Sequence, residues 1–293
     1  MPYAIIIKGV GSFYHVLEKS GEVTVCKARG VFKNRNLVPL VGDKVFFEKN
    51  SQGALITKIL PRTSVLERPA VANATLGVIV CTLKSPDISY LTLDKMLISN
   101  KINNLKSVLC LNKCDLYEKE QIYSFTDIYK KSGAKIIVLS AKTKENVKNL
   151  TALLKDNTCV FYGVSGSGKS TLVNLITGNN EYVSGSLSEK TQRGKNTTRH
   201  TQLDCVSAGT YIMDTPGFSS FDLKNVCHND LWKYYDEFYD YSYCKYNTCK
   251  HIGEPSCAVK SAVMDGNISK IRYENYVKIY NELKKSEESK TNK

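Results

Sequence analysis

Residues 163–170, Gly-Val-Ser-Gly-Ser-Gly-Lys-Ser, have the spacing G-x-x-x-x-G-K-[ST]. Each residue type there has a task in phosphate chemistry. Gly163, Gly166 and Gly168, with Val164, Ser165 and Ser167 between them, let successive backbone N–H groups turn inward around anionic oxygens at a helix N-terminus. Lys169 neutralises the β- and γ-phosphates, and the Ser170 hydroxyl ligates Mg²⁺. An apolar strand precedes the loop and the helix-like "STLVNLITG" follows it, which is the context the chemistry needs. Downstream, "DTPG" (214–217) closes another apolar run. Asp214 there can hold Mg²⁺ through water, and Gly217 can offer its N–H to the γ-phosphate. Standing alone, "DTPG" is a β-turn sequence; after a phosphate loop it reads as functional.

Those two motifs serve any triphosphate. The base is chosen by Asn112-Lys113-Cys114-Asp115, which fits N-K-x-D at the end of a predicted strand. The Asp115 carboxylate can accept two hydrogen bonds, from guanine N1–H and the 2-amino group. Adenine lacks that donor pair and would leave a buried carboxylate unpaired, and sites built on such a contrast discriminate by roughly 10⁴ or more. Ser140-Ala141-Lys142 follows the next strand and can close over the base, with the Ala141 N–H aimed at guanine O6. The order along the chain is therefore N-K-x-D, S-A-K, phosphate loop, switch and D-x-x-G. In an ordinary GTPase the phosphate loop comes first, so this is a circular permutation. Whatever follows residue 217 is tied directly to the elements that move with the γ-phosphate.

A third constellation is Cys244-x₄-Cys249-x-His251-x₅-Cys257. Three thiolates and an imidazole suit a closed, tetrahedral, structural Zn²⁺ site. The plain alternative is three reduced cysteines and an unrelated histidine. Cys227 and His228 are left outside the set, which is complete without them. Most of the ten cysteines, among them Cys81, Cys110, Cys159 and Cys205, lie inside apolar runs and read as buried small hydrophobes.

The elements that must position these residues follow from the pattern around them. Residues 1–66 alternate β-rich runs ("YAIIIKGVGSFYHVLE", "EVTVCKARGVF", "KVFFEKN", "GALITKIL") with turns, and "PLVGDKVFF" sets a Gly-Asp turn before a strand. That spacing predicts a small OB-like or SH3-like barrel. Lys8, Lys27, Arg29, Lys33, Arg35 and Lys44 are interleaved there with Tyr3, Phe13, Tyr14 and Phe32, a mixture suited to nucleic acid, although each aromatic taken singly reads more simply as core. Residues 61–74 read as a connector. From 76 to 214 apolar strands alternate with helical stretches, which predicts a parallel α/β sheet with its ligand loops at the carboxyl ends of the strands. "HNDLWKYYDEFYDY" and "NISKIRYENYVKIYNEL" read as helical, and "KKSEESKTNK" as a frayed basic tail. The net charge of +13 over 293 residues favours a polyanionic partner. No apolar run spans a bilayer and the N-terminus lacks a secretory plan, so a soluble, cytoplasmic protein without a membrane partner is expected. No association face stands out in the sequence, and a monomer is expected.

Together these features resemble the ribosome small-subunit-dependent GTPase A family (RsgA, also called YjeQ), over about residues 1–283. The stretches "RGKNTTRHT", "DTPGFSS" and "EPSCAVKSAV" are also similar to that family. The resemblance implies an α/β fold in three parts: an OB-like, RNA-binding barrel (1–66), a permuted GTPase domain (67–226) and a helical zinc module with a disordered basic tail (227–293). It implies a GTP hydrolase with GTP/GDP, Mg²⁺ and one structural Zn²⁺. The partner would be the small ribosomal subunit and its rRNA, with the subunit stimulating hydrolysis late in its own maturation. Gly163 to Thr171 would hold phosphates, and Thr198 would be the switch threonine meeting Mg²⁺ and the γ-phosphate. Phe218 stands where many GTPases place a water-orienting Gln. The family's switch histidine precedes the Thr pair, a place held here by Asn196. Either His200 substitutes for it, or rRNA supplies the missing group. Two other readings stand beside this one. An RNA-binding scaffold would keep GTP as a structural ligand, and a phosphate-loop ATPase or kinase would lack a use for N-K-x-D with S-A-K.

Overall fold

The computed structural model describes residues 3–29, 32, 37–51, 53–67, 69–178, 202–214, 223 and 226–291. Its contacts fall into two compact units. One comprises Met1–Gly77, Lys148–Phe161 and Lys169–Pro216, the other Val78–Val147, Tyr162–Gly168 and Gly217–Lys293.

In the first unit, β1 (Ala4–Val10), β2 (Phe13–Leu17), β3 (Val23–Ala28), β4 (Lys44–Asn50) and β5 (Gly53–Ile59) close a barrel of order β1-β2-β3-β5-β4. Strands β3 and β5 run parallel, and β1 closes on β4 antiparallel. This is the OB-like arrangement expected. Ala4, Ile6, Val16, Cys26, Val45 and Ile56 alternate inward and fill it. The run read as one strand, residues 3–18, is two. Val10 pairs with Phe13 across a two-residue turn whose first residue, Gly11, has φ +59°. A glycine at positive φ is what such a hairpin turn demands. The predicted Gly-Asp turn is present at residues 42–43. Gly42 has φ +90°, and a Cβ there would lie 2.0 Å from the Ala72 carbonyl oxygen. Buried Asp43 accepts from Arg62 Nε at 2.7 Å and Arg62 Nη2 at 2.8 Å.

The stretch taken as a connector is a hairpin, β6 (Val65–Glu67) with β7 (Ala70–Ala72). Val71 and Ala72 are buried, and Val41 bridges to Val71. Apolar residues in a Pro- and Ser-containing run were the missed signal. The Asn73 amide donates to the Gly42 carbonyl at 2.9 Å, tying the hairpin to the barrel turn.

A second sheet is built from β8 (Leu76–Cys81), β9 (Lys106–Leu111), β10 (Lys135–Val138), β11 (Thr158–Tyr162), β12 (Asp204–Ser207) and β13 (Thr210–Asp214). Its order is β10-β9-β8-β11-β13-β12. Strand β8 is buried along its whole length, as a central strand covered on both faces must be. β9 runs parallel to β10, and β11 to β13. The sheet is not wholly parallel as expected: β12 is an antiparallel edge, joined to β13 by a tight turn at Ala208-Gly209. The helices are α1 (Tyr90–Ile102), α2 (Lys119–Tyr129), α3 (Val147–Leu154) and α4 (Lys169–Thr177).

The C-terminal part lies in the second unit. "HNDLWKYYDEFYDY" is mostly a 3₁₀ turn, His228–Tyr234, followed by the short α5 (Asp236–Tyr239). After α6 (Ala258–Met264), α7 runs from Lys270 to Thr291. The residues read as a frayed tail are therefore helical through Thr291. The reason is a tether: Glu287 accepts from the His228 backbone N–H at 2.8 Å and pairs with His228 Nδ1 at 2.6 Å. Leu231, Tyr235, Phe238, Val259, Tyr276 and Ile279 make the core here, and Ile98 of α1 belongs to the same cluster. No helix among the described residues is long and apolar enough to cross a membrane.

Candidate nucleotide site and metal centre

The end of β9 delivers Asn112 into a buried position. Its backbone N–H bonds to the Cys81 carbonyl at 2.8 Å. Its side chain then spends both functions on two other loops: Nδ2 donates to the Ser167 carbonyl at 2.8 Å, and Oδ1 accepts the Ala141 N–H at 2.9 Å. One amide thus joins the three loops that the sequence singled out. The Ala141 N–H, expected to face guanine O6, is here engaged by Asn112. Lys113 turns the chain in the left-handed region at φ +63° and donates to the Ser85 carbonyl at 2.5 Å. Asp115 sits on the 3₁₀ turn Cys114–Leu116 that follows. It is exposed, not buried as the sequence argument took it to be. Burial pushes the neighbouring Cys114 thiol up to about 11, so it is inert. Ser140 is buried and its hydroxyl accepts the Thr143 N–H at 3.1 Å; Lys142 is exposed.

The phosphate loop leaves β11 at Gly163. A Cβ there would stand 2.7 Å from the Val80 carbonyl oxygen, and one on Gly168 would stand 2.3 Å from Asn112 Nδ2. Gly166 and Gly168 both hold φ +83°. This backbone admits only glycine at those places; the Ser167 N–H between them bonds to the Val164 carbonyl at 3.1 Å and closes the turn that curls the loop for an anion. Ser167 Oγ is buried and finds no hydrogen-bond partner among the described residues. Val164 is half-buried, while Ser165 and Thr171 are exposed. These are the features of a loop that fits a polyphosphate.

Lys169 opens α4 and is buried, which for an ammonium requires a partner. Asp214, at the end of β13, is that partner. The Ser170 hydroxyl donates to the other oxygen of the same carboxylate at 3.1 Å. The lysine, hydroxyl and carboxylate assigned to phosphate and Mg²⁺ chemistry are thus gathered on one point. Thr198, His200 and Gly217, with Asn196 and Phe218, lie outside the described residues.

Cys244, Cys249, His251 and Cys257 converge, with their ligand atoms all within 4.8 Å of one another. A tetrahedral ion with bonds of about 2.3 Å to sulfur and about 2.0–2.1 Å to nitrogen has S···S edges near 3.8 Å and S···N edges near 3.6 Å. Cys244 and Cys257 sulfurs are 3.8 Å apart. His251 Nδ1 lies 3.6, 3.6 and 3.4 Å from Cys244, Cys249 and Cys257. Cys249, His251 and Cys257 are buried, and the Ala258 N–H donates to the Cys244 sulfur at 3.3 Å. The donor set fits a closed metal site. His251 reaches it from φ +60°, with the Tyr273 hydroxyl on its carbonyl at 2.8 Å.

Sequence reasoning missed one buried constellation. Arg272 of α7 donates through Nη1 to Asp94 of α1 at 2.5 Å, and through Nε to Glu237 of α5 at 2.7 Å. Asn275 adds a bond to Asp94 at 2.9 Å and the Tyr129 hydroxyl another at 3.1 Å. Burial alone would lower the Arg272 pKa; the two carboxylates outweigh it and hold the charge. The signal was Asp94 within the helical stretch after β8, but no spacing rule links it to a residue 178 positions away.

Comparison with known proteins agrees with this layout. Residues 59–224 match the RsgA GTPase domain and residues 4–56 the RsgA N-terminal domain. A small ribosomal subunit biogenesis GTPase RsgA from Clostridium botulinum (strain Kyoto / Type A2) is 44% identical over 282 residues, 95% of this chain and 96% of that protein. Its namesake from Clostridium acetobutylicum is 45% identical over 280 residues, again 95% and 96% of the two chains. Among solved structures, YjeQ from Thermotoga maritima superposes with a TM-score of 0.83 at 33% identity, covering 96% of this chain and 98% of that one. YloQ, described as a circularly permuted GTPase, superposes with a TM-score of 0.82 at 32% identity, covering 98% and 96%. With the barrel, the permuted order of loops and the cysteine centre all in place, the chain belongs to the RsgA GTPase family.

Proposed function

We propose that this GTP hydrolase binds the small ribosomal subunit and its rRNA and assists late maturation of the subunit, in the cytoplasm and as a monomer. Hydrolysis, stimulated by the subunit, drives release. The curated relatives carry small ribosomal subunit biogenesis in their names, and this chain spans nearly their whole length. The observation that carries the nucleotide reading is the Asn112 side chain, which fastens the S-A-K loop and the phosphate loop to N-K-x-D. In this reading Asp115 accepts guanine N1–H and the 2-amino group, and becomes desolvated when the base covers it. Ser140, Ala141 and Lys142 line the base, and residues 163–171 hold the phosphates. Lys169 moves from Asp214 to the β/γ-phosphate oxygens, where its charge offsets that which develops as water displaces GDP from the γ-phosphoryl group. Ser170, Thr198 and Asp214 would hold Mg²⁺, which would supply positive charge to the phosphates. Gly217 donates to the γ-phosphate, and His200 orients the attacking water.

The Cys244, Cys249, His251 and Cys257 set takes one structural Zn²⁺ and closes the module 227–293; the GTPase domain is residues 67–226 and the barrel residues 1–66. A net charge of +13 favours rRNA. So do exposed aromatics with a cation at hand: Lys27 over Phe13 at 5.3 Å and Lys245 over Tyr246 at 5.8 Å.

The test is phosphate release from GTP, alone and with purified small subunits, with Asp115→Asn as control. Slow release that the subunit accelerates, together with weakened GTP affinity in the variant, is the expected result. The variant should lose on the order of 10²–10⁴ in affinity, since it removes about two charge-assisted hydrogen bonds. Tight GTP binding with no stimulation would instead make the protein a scaffold that keeps GTP as a structural ligand.

A further inference from the structure

Cys227 and His228 stood outside the metal set in the sequence. The structure gives them a third companion from the far end of the chain. Cys227 caps the 3₁₀ turn and His228 begins it, while Glu287 lies in the last turns of α7. The Cys227 sulfur, a ring nitrogen of His228 and a carboxylate oxygen of Glu287 all lie within 4.8 Å of one another. We propose that these residues form a second, exchangeable site for a divalent transition metal, with Zn²⁺ as its natural occupant.

The geometry is prepared for an ion. The Glu287 carboxylate is fixed at both oxygens by the same residue, through the His228 backbone N–H at 2.8 Å and ring Nδ1 at 2.6 Å. The His228 ring is held in turn by an edge contact to Tyr280, centroids 5.1 Å apart. Cys227 shares the same carboxylate and is exposed to solvent. An ion enters by displacing the thiol proton, and the imidazole binds it through Nδ1 as the neutral Nε2–H tautomer. The donors then widen from hydrogen-bond to coordination spacing.

The ligand chemistry selects the metal class. One thiolate, one imidazole and one carboxylate suit Zn²⁺, whereas Ca²⁺ and Mg²⁺ want oxygen alone. With neutral His228, the thiolate and the carboxylate cancel the charge of the dication. Three protein ligands leave a fourth position to water, unlike the closed Cys244 set, so this metal exchanges readily. It also bridges residues 59 positions apart, closing the end of α7 onto the turn at 228.

The experiment uses the full chain. The protein and its Cys227→Ser and Glu287→Gln variants are dialysed to equilibrium against micromolar free Zn²⁺, and zinc per chain is read by mass spectrometry as the excess inside the membrane, without a desalting step. Glu287→Gln keeps a donor and an acceptor for residue 228 while removing the anionic ligand, and Cys227 is at the surface, so folding does not confuse the result. The expected outcome is one more zinc per chain in the unsubstituted protein than in either variant. Equal zinc in all three overturns the proposal. Because the readout is a difference, it holds whether or not the Cys244 set is loaded and does not depend on GTP hydrolysis.

Discussion

At Gly168 two requirements meet in one residue. Its φ of +83° is a conformation that side chains resist, and a Cβ there would collide with the Asn112 amide at 2.3 Å. Left-handed strain costs on the order of 1–3 kcal/mol, and the collision adds to it by unseating the amide that joins three loops. Gly168→Ala should therefore abolish GTP binding in calorimetry while the chain stays folded, since the loop carries little of the core. Much at this scale was legible in advance, because phosphate chemistry dictates residue types at fixed spacing. Lys169, Ser170 and Asp214 were named from spacing alone and are found together. The use of Asn112 was not legible. N-K-x-D announces a base-binding loop, but only the fold reveals that its asparagine bonds to protein and engages the Ala141 N–H. The exposure of Asp115 was equally hidden, since burial is a property of neighbours that the motif does not contain.

Among the elements, the cysteine centre offers its own reporter. Trp232 is the sole tryptophan of the chain, and its ring lies edge-on to His251 at 6.0 Å and against Tyr239 at 5.7 Å. With Zn²⁺ bound there as proposed, its removal by a chelator should change tryptophan emission and loosen the segment from 241 to 258. In the metal-free centre burial pushes the Cys249 and Cys257 thiols up, so at neutral pH they hold their protons. Metal binding must release those protons, so affinity falls as pH falls. An acid titration followed by Trp232 fluorescence should report metal loss, and reversal on raising pH with zinc present. Elements whose logic is local were readable: four β-rich runs gave a barrel. Elements whose logic is distant were not. The polar run from 284 carries no apolar stripe, and its helix depends on a histidine 59 positions earlier. The hairpin at 65–72 depends likewise on Gly42 and Val41.

For the molecule as a whole, the C-terminal part is bound to α1 by buried charge. Arg272 is 2% exposed, Asp94 0% and Glu237 3%. Arg272→Met leaves two carboxylates without their cation, which should cost about 3–5 kcal/mol in denaturant unfolding. Replacing all three with apolar or amide counterparts should recover much of that loss, because it is the unpaired charge that is costly. A second seam joins the barrel to the chain returning from the other side of the phosphate loop. Lys8 bridges to Gln202, and the Leu203 N–H bonds to the Ile7 carbonyl at 2.8 Å. This seam limits portability. A protein engineer who lifted residues 1–60 out as a cartridge, or grafted another barrel in their place, would leave the entrance to β12 without its outer rail. The barrel is thus not an interchangeable attachment. Swaps between relatives should succeed only when the edge of β1 and residues 202–203 travel together.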